Sequence, residues 1–283
     1  MDLNRKEWVF SVMSNEVVIR LGFFFSIFFL VAIWEQLAPR RALTTSKKMR
    51  WFSNLTITFL NPLLLRLVFP VLAINMAVIA QERGWGLLNN FDLPYGLDLM
   101  VGIIVLDLTI YLQHVMFHAI PIFWRLHMMH HADLDYDVTT GSRFHPIEII
   151  LSMGIKMSVV VILGPPIAAV LIFEIILNGV AMFNHGNVLL PKKIDRIMRY
   201  LVVTPDMHRV HHSVIISETN SNYGFNLPWW DRLFGTYCDQ PAKGHKDMTI
   251  GLSQFREPKK LTLPWLLALP FIGDPGKQPI NRH

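Results

Sequence analysis

The chain has 283 residues, of which 52% are hydrophobic and only 17% charged, with a mean hydropathy of +0.36. Soluble domains carry roughly 25% charged residues, so a water-exposed globule and a disordered chain are both excluded; the single cysteine, Cys238, excludes a disulfide scaffold. The net charge of +5 is modest and gathered in particular loops, which makes nucleic acid a poor partner and an integral membrane protein the expected class.

A spanning helix needs about 20 mostly apolar residues. Residues 17–37 supply the first, with Arg20 able to snorkel from its first turn. Its basic cluster follows rather than precedes it and no A-x-A site is present, which argues against a cleaved signal peptide. Residues 55–80 are apolar but interrupted by Asn61-Pro62, Arg66 and Pro70, and read either as one kinked span or as a re-entrant pair of short helices. Residues 97–120 form another span, ending in polar chemistry. Pro146–Leu163 and residues 167–185 are joined by Gly164-Pro165-Pro166, a turn that suits only a helical hairpin. Beyond Asn187 the chain is polar in character except at Leu263–Ile272, which is too short to span and reads as interfacial.

Cytoplasmic loops are enriched in Lys and Arg. The loop after the first span carries Arg40, Arg41, Lys47, Lys48 and Arg50, and the tail is rich in both residues, whereas residues 81–96 carry only Arg83. The expected fold is therefore all-α and polytopic, with the N-terminus outside, about four transmembrane crossings and a cytosolic histidine-rich cap. The chain divides into an N-terminal transmembrane region (1–96), a catalytic region (97–245) and a tail with a short interfacial segment (246–283).

Ten of the twelve histidines fall between His114 and His212. His114 and His118 form H-x-x-x-H; His127, His130 and His131 form H-x-x-H-H, as do His208, His211 and His212; His145 and His185 stand alone. In random order one H-x-x-H-H is expected roughly 0.02 times, so two copies are a specific signal. On a helix, positions i, i+3 and i+4 share a face, so each box aims two or three imidazoles in one direction, as a metal requires. Imidazole without thiolate suits iron, zinc, copper or nickel. Nine such rings are too many for one ion and enough for two with about four each. The E-x-x-H and H-E-x-x-H patterns are absent, which argues against a carboxylate-type di-iron bundle and a zincin protease. Asp133, Asp135 and Asp137 lack the glycine and closing glutamate of a calcium loop and read as a solvated turn. Gly84-Trp85-Gly86 lacks the strand and third glycine of a nucleotide site.

The order H-x-x-x-H, H-x-x-H-H, Arg143-Phe144-His145-Pro146, Asn184-His185-Gly186-Asn187, H-x-x-H-H resembles the fatty acid hydroxylase/sterol desaturase superfamily of membrane di-iron enzymes. Thr204-Pro205-Asp206 before the last box, Asn222-Tyr223-Gly224 and the run Trp230-Asp231-Arg232-Leu233-Phe234-Gly235-Thr236-Tyr237 are similar to that family's C-terminal signature. The resemblance implies an O2-dependent oxidoreductase that hydroxylates or desaturates a membrane lipid, with two ferrous ions, O2 as co-substrate and an external electron-donor protein or reductant. It implies His114, His118, His127, His130, His131, His185, His208, His211 and His212 as iron ligands, with His145 a further candidate. Asp107, Asp206, Asn184, Asn187 and Asp231 are the candidates to orient the imidazoles. A zinc-dependent membrane hydrolase and a metal transporter are the alternatives. The first would work without O2, and the second would place its histidines in mid-span beside Asp or Glu. The compact length and the ending Ile280-Asn281-Arg282-His283, which is no retention signal, favour a bacterial inner membrane over the endoplasmic reticulum.

Overall fold

The computed structural model describes residues 3–277, with side chains from Ser14 onward, so the last six residues, the ending Ile280-Asn281-Arg282-His283 among them, lie outside the described part. Among the described residues the secondary structure is helical, with no strand and two isolated bridges, Pro39 to Val188 and Ser213 to Ile250.

Helix α1 runs Leu3–Leu37, and α2 (Lys47–Val68) and α3 (Ala73–Arg83) follow. Pro62 is accommodated inside α2, while the chain breaks at residues 69–72 around Pro70, which has no N–H to continue the ladder. Helix α4 (Tyr95–Ala119) reverses at Ile120, whose extended backbone ends it, and Pro121 opens α5 (Pro121–His131). Helix α6 (Pro146–Leu163) begins with Pro146 at its first position and ends at Gly164, whose φ of +67° suits a residue without a Cβ. Helix α7 (Ile167–Asn184) returns at once. The tail forms α8 (Lys192–Met198), α9 (Pro205–His211), α10 (Ile216–Thr219), α11 (Trp229–Leu233), α12 (Gly244–Asp247) and α13 (Leu263–Ile272).

Among the described residues five helical stretches are long and apolar enough to cross a membrane, one more than the four crossings expected. The extra crossing comes from the hairpin. Helices α6 and α7 have 18 residues each, about 27 Å apiece at 1.5 Å per residue, so each reaches across the hydrocarbon layer. The broken stretch is also resolved. Arg50 at its start bonds Asp133 beside α5, while just beyond α3 the Leu87 amide donates to Ile162 O, 3.0 Å away at the opposite end of α6. The stretch thus enters at one end of the bundle and leaves at the other, as one broken span rather than a re-entrant pair. The chain is a multi-pass membrane protein whose histidine boxes, on α4, α5 and α9, gather at one end of the bundle.

Helices α3, α4, α6 and α7 pack through Ala73, Ala77, Leu106, Ile110, Val160, Val170 and Phe173. In a bilayer such contacts depend on close van der Waals approach, and small residues permit it. A Cβ on Gly102 would sit 2.9 Å from Ala169 Cβ. Arg20 does not snorkel to the surface: it pairs with Glu16 at 2.7 Å and with Glu174 of α7, which also accepts from Lys156 of α6 at 2.6 Å. Arg66 lies on the exposed face of the last turn of α2. Helix α13 packs Leu266 and Leu269 against Trp124, Met128 and Ile57 and leaves Trp265, Phe271 and Ile272 exposed.

The acidic turn departs from expectation. Asp133, Asp135 and Asp137 are buried, not solvated. Arg50 donates to Asp133 at 2.7 Å and to Asp137 at 2.6 Å, Arg143 lies 3.1 Å from Asp133, and Asp135 accepts from the Thr44 and Thr45 amides at 2.9 and 2.8 Å. The aspartates supply what the arginines and the 44–45 backbone need, and together these bonds fix the loop between α5 and α6.

Candidate metal centre

The nine histidines of the boxes and of the Asn184-His185 corner converge in two buried groups. His114, His118, His127, His131 and His211 form one; His130, His185, His208 and His212 form the other; within each, one nitrogen per ring lies within 4.8 Å of all the rest. Helical geometry explains the split. In H-x-x-H-H the first and last rings are i, i+4 and point together, while the middle ring is turned about 100° from the last. The α5 box sends His127 and His131 to the first group and His130 to the second; the α9 box sends His208 and His212 to the second group and His211 to the first. Each box serves both groups in opposite proportions. Helix α4 adds an i, i+4 pair to the first, and the C-cap of α7 adds His185 to the second.

The outer nitrogens are held from behind. His114 Nδ1 donates to Tyr223 O at 2.8 Å, His130 Nδ1 to Arg143 O at 3.2 Å, His185 Nδ1 to Ala181 O at 2.8 Å and His211 Nδ1 to Ser221 O at 2.7 Å. His118 Nδ1 meets Asn220 Oδ1 at 3.1 Å, and His127 Nδ1 meets the buried Glu148 carboxylate at 2.7 Å. A carbonyl can only accept, so the four bonds to backbone carbonyls place the ring proton on Nδ1 of His114, His130, His185 and His211 and leave Nε2 of each as a bare lone pair facing inward.

The bare nitrogens face one another. His114 Nε2 lies 3.1 Å from His127 Nε2, and His185 Nε2 lies 3.2 Å from His130 Nε2. Nitrogens of His118, His131, His208, His211 and His212 are buried without a hydrogen-bond partner. Protonation is not available to relieve this. Burial holds the His127 imidazole down to about 3, and burial with neighbouring imidazoles holds His131, His208, His211 and His212 well below the usual histidine value. Opposed lone pairs at such a spacing suit a cation between them. Two nitrogens each about 2.1 Å from one ion, at 90–109°, lie about 3.0–3.4 Å apart. The residues fit two metal ions bound by nitrogen.

His145 stands outside both groups. Its Nδ1 accepts from the Ile147 amide at 3.2 Å, capping α6, and its Nε2 meets Leu267 O at 3.2 Å. The five residues expected to orient the imidazoles do other things. Asp107 accepts from Asn226 and the Trp230 indole, both at 2.8 Å, Asn184 donates to Phe225 O, and Asn187 bridges Glu35 and Arg41. Asp206 pairs with Arg40 at 2.9 Å and with Arg209. Asp231 acts at one remove: it accepts from the Tyr223 and Gly224 amides at 2.8 and 2.9 Å, fixing the carbonyl that holds His114. Asn222, at a φ of +51°, turns that loop and ties it to Met207 O and to the Cys238 amide. Most acceptors behind the rings are backbone carbonyls, which leave no mark in side-chain spacing. Glu148 is the carboxylate that sequence reasoning passed over, because it lies 21 residues from His127.

Fold and site together give a chain with membrane-spanning helices and two buried clusters of histidine nitrogens, each able to hold a metal ion. Residues 99–236 match the fatty acid hydroxylase family. Over 158 residues the chain is 29% identical to ornithine lipid hydroxylase OlsE of Rhizobium tropici, covering 56% of this chain and 46% of that protein. It is 28% identical over 154 residues to alkylglycerol monooxygenase of Xenopus tropicalis (53% and 32% covered) and 27% over 177 residues to that of Homo sapiens (60% and 37%). The chain spans less than half the length of these curated relatives, and no solved structure matches it. The family match, over residues 99–236, takes in just under half of the chain and contains all nine clustered histidines.

Proposed function

We propose that the chain is a di-iron monooxygenase that hydroxylates a C–H bond of a membrane lipid, using O2 and electrons from an external donor. The observation that carries this reading is the pair of buried histidine groups with opposed, partnerless nitrogens inside a fatty acid hydroxylase domain. The hydroxylase and monooxygenase names of the relatives favour hydroxylation over desaturation and a lipid with a polar headgroup as substrate. His114, His118, His127, His131 and His211 would hold one iron, and His130, His185, His208 and His212 the other. Iron bound there supplies what no side chain can, the activation of O2 against an unactivated C–H bond.

The protein's own residues do the remaining work. The Tyr223, Arg143, Ala181 and Ser221 carbonyls keep the ring protons of His114, His130, His185 and His211 on the outer side, so that the inner nitrogen of each has a lone pair for a metal. Phe144 stacks on His130 with centroids 4.4 Å apart, and Phe225 lies 5.1 Å from His114 while belonging to the apolar core of α3, α4, α6 and α7. A lipid chain entering along that core meets the histidines at these two rings. The catalytic unit is drawn at residues 97–245, with 1–96 as its membrane scaffold and 246–283 as a strap whose α13 closes over α5. The basic residues at the site end support a cytosolic orientation.

Changing His211→Ala should abolish lipid oxidation and lower the metal content while the chain still inserts. Elemental analysis of the purified protein should give two irons per chain, and 18O2 should label the lipid product. Two zincs from iron-replete cells, with lipid turnover persisting without O2, would replace this reading with the hydrolase.

A further inference from the structure

A line of aromatic rings leads from the first histidine group to the surface. Tyr223 lies 5.1 Å from His118, 5.4 Å from His114 and 5.5 Å from His211, centroid to centroid. Tyr111 follows 6.3 Å further on, and Phe234, 52% exposed, stacks on Tyr111 at 5.5 Å with an 18° interplanar angle. Tyr111 itself is buried.

Tyr111 differs from the other tyrosines near the histidines in what its hydroxyl meets. The Tyr111 hydroxyl lies 2.9 Å from Thr236 Oγ1, and Thr236 Oγ1 donates to Asp231 Oδ1 at 2.7 Å. Because the threonine proton is committed to the carboxylate, the phenol is the donor in the first bond. Its proton therefore has a route to a base. Burial lifts the Asp231 carboxyl to about 6, so near neutral pH it is ionised and readily takes a proton. Tyr223 has no such route, since its hydroxyl reaches an amide oxygen, Asn220 Oδ1, at 3.4 Å. Tyr136, which stacks near His185, donates to a backbone carbonyl, Asn184 O, and lies under the Arg209 guanidinium, whose charge opposes oxidation.

We infer that Tyr111 is a redox-active tyrosine, the residue on which an oxidising equivalent leaving the histidine groups comes to rest when no lipid is there to consume it. This rests on the oxygenase reading above, because the oxidant is iron raised above the ferrous state by O2. Iron held by the first histidine group would take one electron from Tyr111, by way of the Tyr223 ring, and fall by one unit of oxidation state. The Tyr111 O–H bond breaks, its proton moves to Thr236 Oγ1, and the threonine proton moves to Asp231 Oδ1, forming a carboxylic acid. Tyr111 is left as a neutral phenoxyl radical, one ring from the surface, where an external reductant restores it at Phe234. Tyr111 and Thr236 touch neither group of ligands, so both can be changed without removing one.

The test uses the full-length protein, loaded with iron, reduced without oxygen, mixed with O2 in the absence of lipid and freeze-quenched for electron paramagnetic resonance. A phenoxyl signal is expected, narrowed when the tyrosines are ring-deuterated, lost in Tyr111→Phe and diminished in Thr236→Val, with iron content unchanged in both. The Thr236→Val variant keeps the ring line and removes the proton route, which a merely structural role for Tyr111 would not register. A signal that persists in Tyr111→Phe overturns the inference. So does a wild-type protein that transfers 18O to lipid and gives no phenoxyl signal, an outcome that leaves the oxygenase reading standing. Purified protein without iron and without lipid oxidation overturns the oxygenase reading, and the inference with it.

Discussion

Glu148 sets the two histidine groups apart. It is the carboxylate that touches one of the nine rings, and it does so only in the five-membered group, at His127. A carboxylate behind an imidazole raises its basicity as a ligand more than a carbonyl does, and removing such a partner typically costs 10–100-fold in metal affinity. Glu148→Gln should therefore weaken metal binding in the first group by about that factor and leave the second group filled, which stepwise metal titration would register as one weakened site rather than two. A uniform loss at both sites would mean that the side chain only holds α6 against α5. The histidines themselves were legible in the sequence because rings three or four positions apart share a helical face. Their outer partners were not, because carbonyls such as Ser221 O and Tyr223 O belong to the fold rather than to a residue type. His145 shows the same limit, since a histidine before proline offers no sign of whether it meets a metal or, as here, the Ile147 amide and Leu267 O.

Among the elements, the loop between α5 and α6 depends most on charge. Arg50 is fully buried between Asp133 and Asp137, and Arg143 lies beside it. Breaking a buried pair by removing one partner costs about 3–5 kcal/mol, so Arg50→Met should unfold at markedly lower temperature or denaturant concentration in detergent, whether or not metal is bound. Burial alone would raise Asp133; the guanidinium groups of Arg50 and Arg143 outweigh it and hold the carboxyl well below the usual carboxylate range. A carboxyl depressed in the folded state stabilises fully above its unfolded value, near 4, and that contribution is lost as pH falls toward the folded value. Acid titration should show loosening below about pH 4 in the wild type and a smaller change in Asp133→Asn. Spacing alone could not find this network. Asp133, Asp135 and Asp137 alternate as a solvated turn would, and their partner Arg50 lies more than 80 residues away. The helices were easier, since hydropathy marks each apolar run. What hydropathy left open was whether residues 55–80 form one kinked span or a re-entrant pair, and packing decides it: α2 runs on past Pro62, with Asn61 donating to Phe144 O, and the Leu87 amide just beyond α3 meets Ile162 O at the far end of α6.

At the scale of the whole molecule, five crossings put the start and the tail on opposite faces. Reporters fused after residues 45, 90, 165 and 245 should read inside, outside, outside, inside, and a reporter after residue 165 that reads inside would return the hairpin to a single shallow dip. The basic residues of the loops are the ground for expecting this alternation, and Arg50 is one of them that is neutralised within the protein. The sharing of each H-x-x-H-H box between both groups also governs the order of biogenesis. The first group lacks His211, and the second lacks His208 and His212, until the segment after α7 has been synthesised and has folded back onto α4 and α5. On the di-iron reading, neither metal position can be finished while the helices are still being threaded into the bilayer, so the newborn protein passes through an inserted but empty stage and iron supply acts on it after translation.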